Sequence, residues 1–267
     1  MFSLIKSTLK IYFTHFWFYC KAISPILFAH VALPIIAHYA YFGRLTVVFS
    51  TTLGIALTIL LFFIDIILIH SSYHHLTQPT IKLSVIQEYR NAGTIFFRYI
   101  GLVVFTGLIT GSIPLLFQIA LNYTTHTSFV VTLSKIVSVS WMASFVILFI
   151  FSFYVLIIEK YPLRRTIIKG ANLFLFKPFL FTGKLIGSVL FFGMCLVILA
   201  AGTTSLLALI TGETAFVFNS QLATIYSPWW QQLVMSVYAI LGLPLLIIVT
   251  SILYRESQTS HSNLYEP

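Results

Sequence analysis

Long apolar runs separated by short basic or aromatic segments set the pattern of this chain. Six runs are long enough to cross about 30 Å of hydrocarbon, which takes roughly 20 helical residues. They cover residues 22–42, 46–70, 99–121, 129–158, 185–210 and 229–254. None alternates apolar and polar positions as a membrane strand would, and in lipid a helix satisfies its own backbone. The predicted fold class is therefore all-α: a six-span helical bundle forming one integral membrane domain over residues 1–267. Gly43, Arg44 and Leu45 alone separate the first two runs, which predicts a tight hairpin. The fourth run exceeds the bilayer and must tilt or begin outside it.

Three amphipathic approaches precede spans, at residues 2–20, 79–97 and 162–182, and a polar tail follows at 255–267. The third is the most regular. Pro162 suits a first helical position, Leu163, Ile167, Gly170 and Phe174 share one stripe, and Arg165 and Lys169 share another. That pattern predicts a helix lying in the headgroup plane, apolar side down. Lys177-Pro178 should end it, and Gly183 should let the chain turn into the bilayer. A phrase recurs where each approach becomes a span: KAISPILF at 21–28, RYIGLVVF at 98–105 and KLIGSVLF at 184–191. Its basic residue can snorkel to phosphate, and its small residue lets a neighbouring helix approach. The expectation is three repeats, each an interfacial helix followed by a two-span hairpin.

Composition agrees with a lipid environment. The chain is 59% hydrophobic and only 8% charged, against about a quarter charged in soluble domains. Its net charge of +9 would point to nucleic acid in a soluble protein, but here position decides. Thirteen of the fifteen Lys and Arg fall on one side of the six-span topology, leaving Arg44 opposite and Lys135 within a span. Cations stay on the cytoplasmic side, so both termini are expected there, in a bacterial inner membrane, with no nucleic-acid partner. Arg164, Arg165, Lys169, Lys177 and Lys184 are the candidate contacts to anionic phospholipid. Cys20 and Cys195 form no disulfide framework.

The apolar span ending Val155-Leu156-Ile157-Ile158-Glu159, followed by Leu163-Arg164-Arg165-Thr166 and Lys169-Gly170, resembles the uncharacterised bacterial inner-membrane proteins of the YciC type. It is also similar to the membrane domain of some glycerophosphodiester phosphodiesterases. Thr166 stands where that family usually has Ser, the Lys-Gly pair comes about two residues early, and Pro114 lacks the Gly that often follows it. The resemblance implies six helices and no known activity, and it does not extend to the phosphodiesterase catalytic domain.

Candidate chemistry is sparse, with six acidic residues in all. Asp65 alone lies within a span, and an intramembrane carboxylate is a functional candidate. Its place near the inner end, with Lys135 near the outer one, means that the two are not expected to pair with each other in this topology. The string His70-Ser-Ser-Tyr-His74-His75 resembles one histidine box of membrane di-iron enzymes, but no second box accompanies it. It reads as interfacial histidines capping a span. No zinc-protease, Walker or serine-elbow motif occurs, so neither an enzyme, a metal nor a cofactor is expected. Gly107 and Gly111 form a small-xxx-small face, a candidate for helix packing. The preferred reading is a non-enzymatic membrane scaffold, assembly or lipid-interacting protein, with anionic lipid and a possible membrane-protein partner. The alternative is a small transporter or lipid carrier using Asp65 in a membrane cavity.

Overall fold

Long apolar sequence forms long helices, which continue even through Pro114 and Pro244. The computed structural model describes residues 1–39, 45–122, 128–212, 217–219, 224–226 and 229–262. Its helices are α1 (Phe2–Thr14), α2 (Phe16–Tyr39), α3 (Leu45–Thr77), α4 (Val85–Asn122), α5 (Ser128–Tyr154), α6 (Leu163–Leu175), α7 (Pro178–Thr211) and α8 (Trp229–Ser262). A π turn, Val155–Glu159, extends α5. The strands β1 (Val217–Asn219) and β2 (Thr224–Tyr226) pair antiparallel, Phe218 opposite Ile225, a small addition to the predicted all-helical class.

Among the described residues, five helical stretches are long and apolar enough to cross a membrane: Thr52–Thr77, Val85–Ala120, Val130–Glu159, Pro178–Ile210 and Leu233–Ser260. They mark the chain as a multi-pass membrane protein. In α2 the apolar stretch is described over Phe16–Val31. The far end of the first expected span, and the hairpin at Gly43 and Arg44, lie outside the described residues.

The approaches differ from one another. His15 separates α1 from α2, and Lys177 precedes α7, whose first residue is Pro178. Residues 85–97, by contrast, continue unbroken into α4, because no proline interrupts them and a lone Gly93 costs a helix only about 1 kcal/mol. Gly183 likewise lies inside α7, so the turn expected there occurs at Lys177. At its other end the chain stays helical past residue 254 to Ser262, and residues 263–267 of the expected tail are outside the described residues.

The chain groups into two compact units: Met1–Tyr89 with Lys184–Val249, and Arg90–Gly183 with Thr250–Pro267. In the first, α1 lays Leu4, Ile5, Thr8 and Tyr12 inward, alongside Tyr19, Ile23 and Ile26 of α2 and Ile64, Ile67 and Leu68 of α3. Tyr12 donates to the Leu241 carbonyl of α8 at 3.3 Å, and Met1 Sδ would meet a Cβ on Gly187 at 2.7 Å. In the second unit, α6 folds back along α5. Phe151 is its aromatic centre, edge-on to Phe174, Phe181 and Tyr254. Trp141 donates to the Ile109 carbonyl at 3.1 Å, which ties α5 to α4.

Candidate functional site

The polar centre of the second unit is built where α5 ends. The π turn carries Glu159, and such turns recur at functional sites. Lys160 then takes a left-handed conformation, φ 57° and ψ 28°. It turns the chain so that Pro162, at φ −59° and ψ 149°, caps the start of α6. Pro162 is thus the N-cap, one position before the first helical residue Leu163, rather than the first helical residue expected. Thr166, fully buried, donates its hydroxyl to the Tyr161 carbonyl at 3.2 Å and secures the corner.

Three donors converge on the Glu159 carboxylate. Lys169 Nζ reaches Oε2 at 2.5 Å, Tyr254 Oη reaches Oε1 at 2.7 Å and Gln258 Nε2 reaches Oε1 at 2.9 Å. Gln258 also donates to Tyr254 Oη at 3.0 Å. Beneath them Tyr154 stacks on Tyr254, with centroids 5.2 Å apart, and its hydroxyl bonds Thr250. The extension of α8 beyond residue 254 follows from this arrangement, since Tyr254 and Gln258 stand one turn apart against Glu159. Tyr161 lies under two cations, Arg165 Cζ at 4.2 Å and Lys169 Nζ at 5.1 Å from its ring centre. Cation–π attraction and the ion pair hold these side chains in place.

The predicted face of α6 meets protein. Gly170 and Phe174 are buried, with Thr166 and Leu173 beside them. A Cβ on Gly170 would meet the Ser152 backbone nitrogen and Cα at 2.5 Å. The stripe expected to lie apolar side down on lipid therefore packs on α5, because a glycine lets the two backbones touch. The outward face holds exposed Arg164 and Arg165 with Ile168 and Leu175. An open cleft of about 610 Å³ runs there, lined by Pro162, Arg164, Arg165, Ile168, Lys169 and Leu173 among others.

Of the remaining candidates, Lys177 is exposed, its Nζ 5.3 Å from the Phe176 ring centre. Lys184, at the phrase in α7, is half-buried and belongs to the first unit. Asp65 is half-buried on α3 and lines neither the α6 cleft nor the one at the α1–α2 junction. Gly107 and Gly111 face open space, with nothing within 4 Å of a built Cβ. The close glycine contacts are at Gly170, Gly187 and Gly242.

A second polar cluster, in the first unit, joins α1, α2 and α3. His15 and His75 stack in parallel with ring centres 3.6 Å apart. Tyr19 Oη lies 3.1 Å from His75 Nδ1, and Tyr89 donates to the Ala22 carbonyl at 2.9 Å. His70 Nδ1 and Glu88 Oε2 are 2.6 Å apart. Burial pushes His15 below the ordinary imidazole range. Burial, with a smaller contribution from Cys20, pushes the Tyr12 hydroxyl up to about 12, so it stays a donor. Among the described residues no group of three or more His, Cys, Asp or Glu is placed to hold a metal. The His70-to-His75 string is visible in sequence, whereas its partners come from elsewhere in the chain, His15 from the break between α1 and α2 and Glu88 from α4. Compared with protein-family models, curated protein sequences and solved structures, the chain matches none.

Proposed function

We propose that this is a non-enzymatic integral protein of a bacterial inner membrane, with six spans and both ends inside. In this reading α6 serves as its cationic contact to anionic phospholipid. The observation that carries the reading is the division of α6 into two faces. Its small and aromatic side is consumed by α5. Its other side leaves Arg164 and Arg165 beside exposed Ile168 and Leu175, and cations above aliphatic surface match a lipid headgroup above its chains. Lys169 serves here as a positioning residue, since its ammonium is engaged by Glu159. The bias of basic residues to one side supports the orientation. A membrane partner with an acidic face is a further candidate ligand for the same arginines.

Reconstitution with a photoactivatable phosphatidylglycerol tests this. Label should enter the α6 peptide, and Arg164→Gln with Arg165→Gln should lower it about thirtyfold, the effect of two cations near an anionic surface. Equal labelling by a phosphatidylcholine probe, or no loss in the double variant, would refute the lipid contact.

A further inference from the structure

We infer that the first unit carries a separate binding site for a phosphate-bearing anion, at the junction of α1 and α2. The break at His15 and the segment joining α3 to α4 bound an open cleft of about 690 Å³. Lys21 comes to it from α2 and Lys82 from the connecting segment, two cations brought together from distant parts of the sequence. No carboxylate lines the cleft. Among the described residues neither lysine has an acidic partner within ion-pair distance. The nearest acid in sequence, Glu88, is engaged by His70 at 2.6 Å.

Three features make this more than two surface lysines. Ser84 and the first turn of α4 line the same space, and the opening N–H groups of a helix have no intrahelical acceptor and favour an anion. His75 forms part of the wall, only 4% exposed and held between Tyr19 and the His15 ring, so the cleft has an ordered polar floor. Trp17 and Ile86 add apolar walls and are themselves exposed. A cationic end beside an apolar wall fits a headgroup phosphate with the start of its chains, and the same cations would accept free phosphate. The site shares no residue with α6 and stands whether or not the α6 contact exists.

Native mass spectrometry of the full chain in neutral detergent tests the inference, with dioleoyl phosphatidylglycerol, dioleoyl phosphatidylcholine and inorganic phosphate as probes. One phosphatidylglycerol adduct should survive in the Arg164→Gln, Arg165→Gln variant. It should weaken about thirtyfold when Lys21→Gln and Lys82→Gln are combined, as two lysines beside anionic lipid imply. Ser84→Asp, which keeps an N-cap acceptor and adds a repelling charge, should remove it in a protein of unchanged melting temperature. Competition by millimolar phosphate identifies free phosphate as the ligand, and its failure to compete identifies the lipid. Equal retention of phosphatidylcholine, or undiminished binding of phosphatidylglycerol and phosphate by both Ser84→Asp and the double lysine variant, would overturn the site. So would the absence of any adduct in the unaltered protein.

Discussion

Lys169 donates to Glu159 over 2.5 Å, although a left-handed residue and a proline cap lie between them. The corner from α5 into α6 thus closes on its own ion pair. Glu159 also accepts from two residues of α8, so a single carboxylate fixes where three helical segments meet. That places the arginines of α6 on a rigid support rather than on a loop.

Replacing this carboxylate should be costly. Glu159→Gln keeps one acceptor oxygen but loses the charge that strengthens three hydrogen bonds, and a loss of about 2 kcal/mol is expected. Lys169→Met should cost less, because Lys169 is 38% exposed and contributes one of the three bonds. Thermal unfolding in detergent would compare them. Equal melting of Glu159→Gln and the unaltered protein would show that Glu159 does not organise the corner.

Gly170 offers a sharper test of how α6 sits. Alanine there would drive a methyl against the Ser152 backbone at 2.5 Å, and overpacking of this kind costs about 1–3 kcal/mol. Ser152→Gly should restore only part of the loss, because the backbone atoms remain. Ser152→Ala alone should be neutral or mildly stabilising, since the buried Ser152 hydroxyl has no hydrogen-bond partner among the described residues. Glycine at 170 was visible in the sequence as one member of a stripe, but its backbone contact was not.

Lys160 holds a conformation that costs a residue with a Cβ about 1 kcal/mol. Its side chain is exposed, so Lys160→Gly should stabilise the fold by about that amount, read as a rise in unfolding midpoint. A decrease would mean that the ammonium at this position contributes more than the backbone strain it carries.

Long helices were legible because lipid-facing sequence has a simple rule, apolar side chains without interruption. The phrase shared by residues 21–28, 98–105 and 184–191 was legible too, yet burial differs among its copies. Ala22, Ile23 and Ile26 are buried in the first copy, Tyr99 and Leu102 in the second and Ser188 in the third. The second copy thus shares one buried position with each of the others, while the first and third share none, a difference that composition cannot encode. The buried face of α6 holds Gly170 and Phe174 of the expected stripe together with Thr166 and Leu173, and hydrophobicity alone is blind to whether such a face meets lipid or protein. Glu159 is not legible as a hub because its partners Tyr254 and Gln258 lie 95 and 99 positions away, in sequence that reads as the end of a span and a polar tail. The one local signal was an acidic residue followed by Lys-Tyr-Pro at a span end.

The stacked histidines make stability depend on pH in a direction that can be worked out. Burial lowers the His15 pKa below its ordinary value of 6.5, so the unfolded chain binds this proton more readily than the folded one. Stability from His15 is then present above pH 6.5 and falls as pH drops below it. Geometry points the same way, because two imidazolium rings with centres 3.6 Å apart would repel, and Lys21 lines the adjoining cleft with both rings. The unfolding midpoint in detergent should decrease between pH 7.5 and pH 5.5. His15→Phe preserves a flat ring over His75 without a titrating group, and it should flatten that decrease. If the variant and the unaltered protein lose stability in parallel on acidification, the pH dependence arises elsewhere and the His15–His75 contact is only packing.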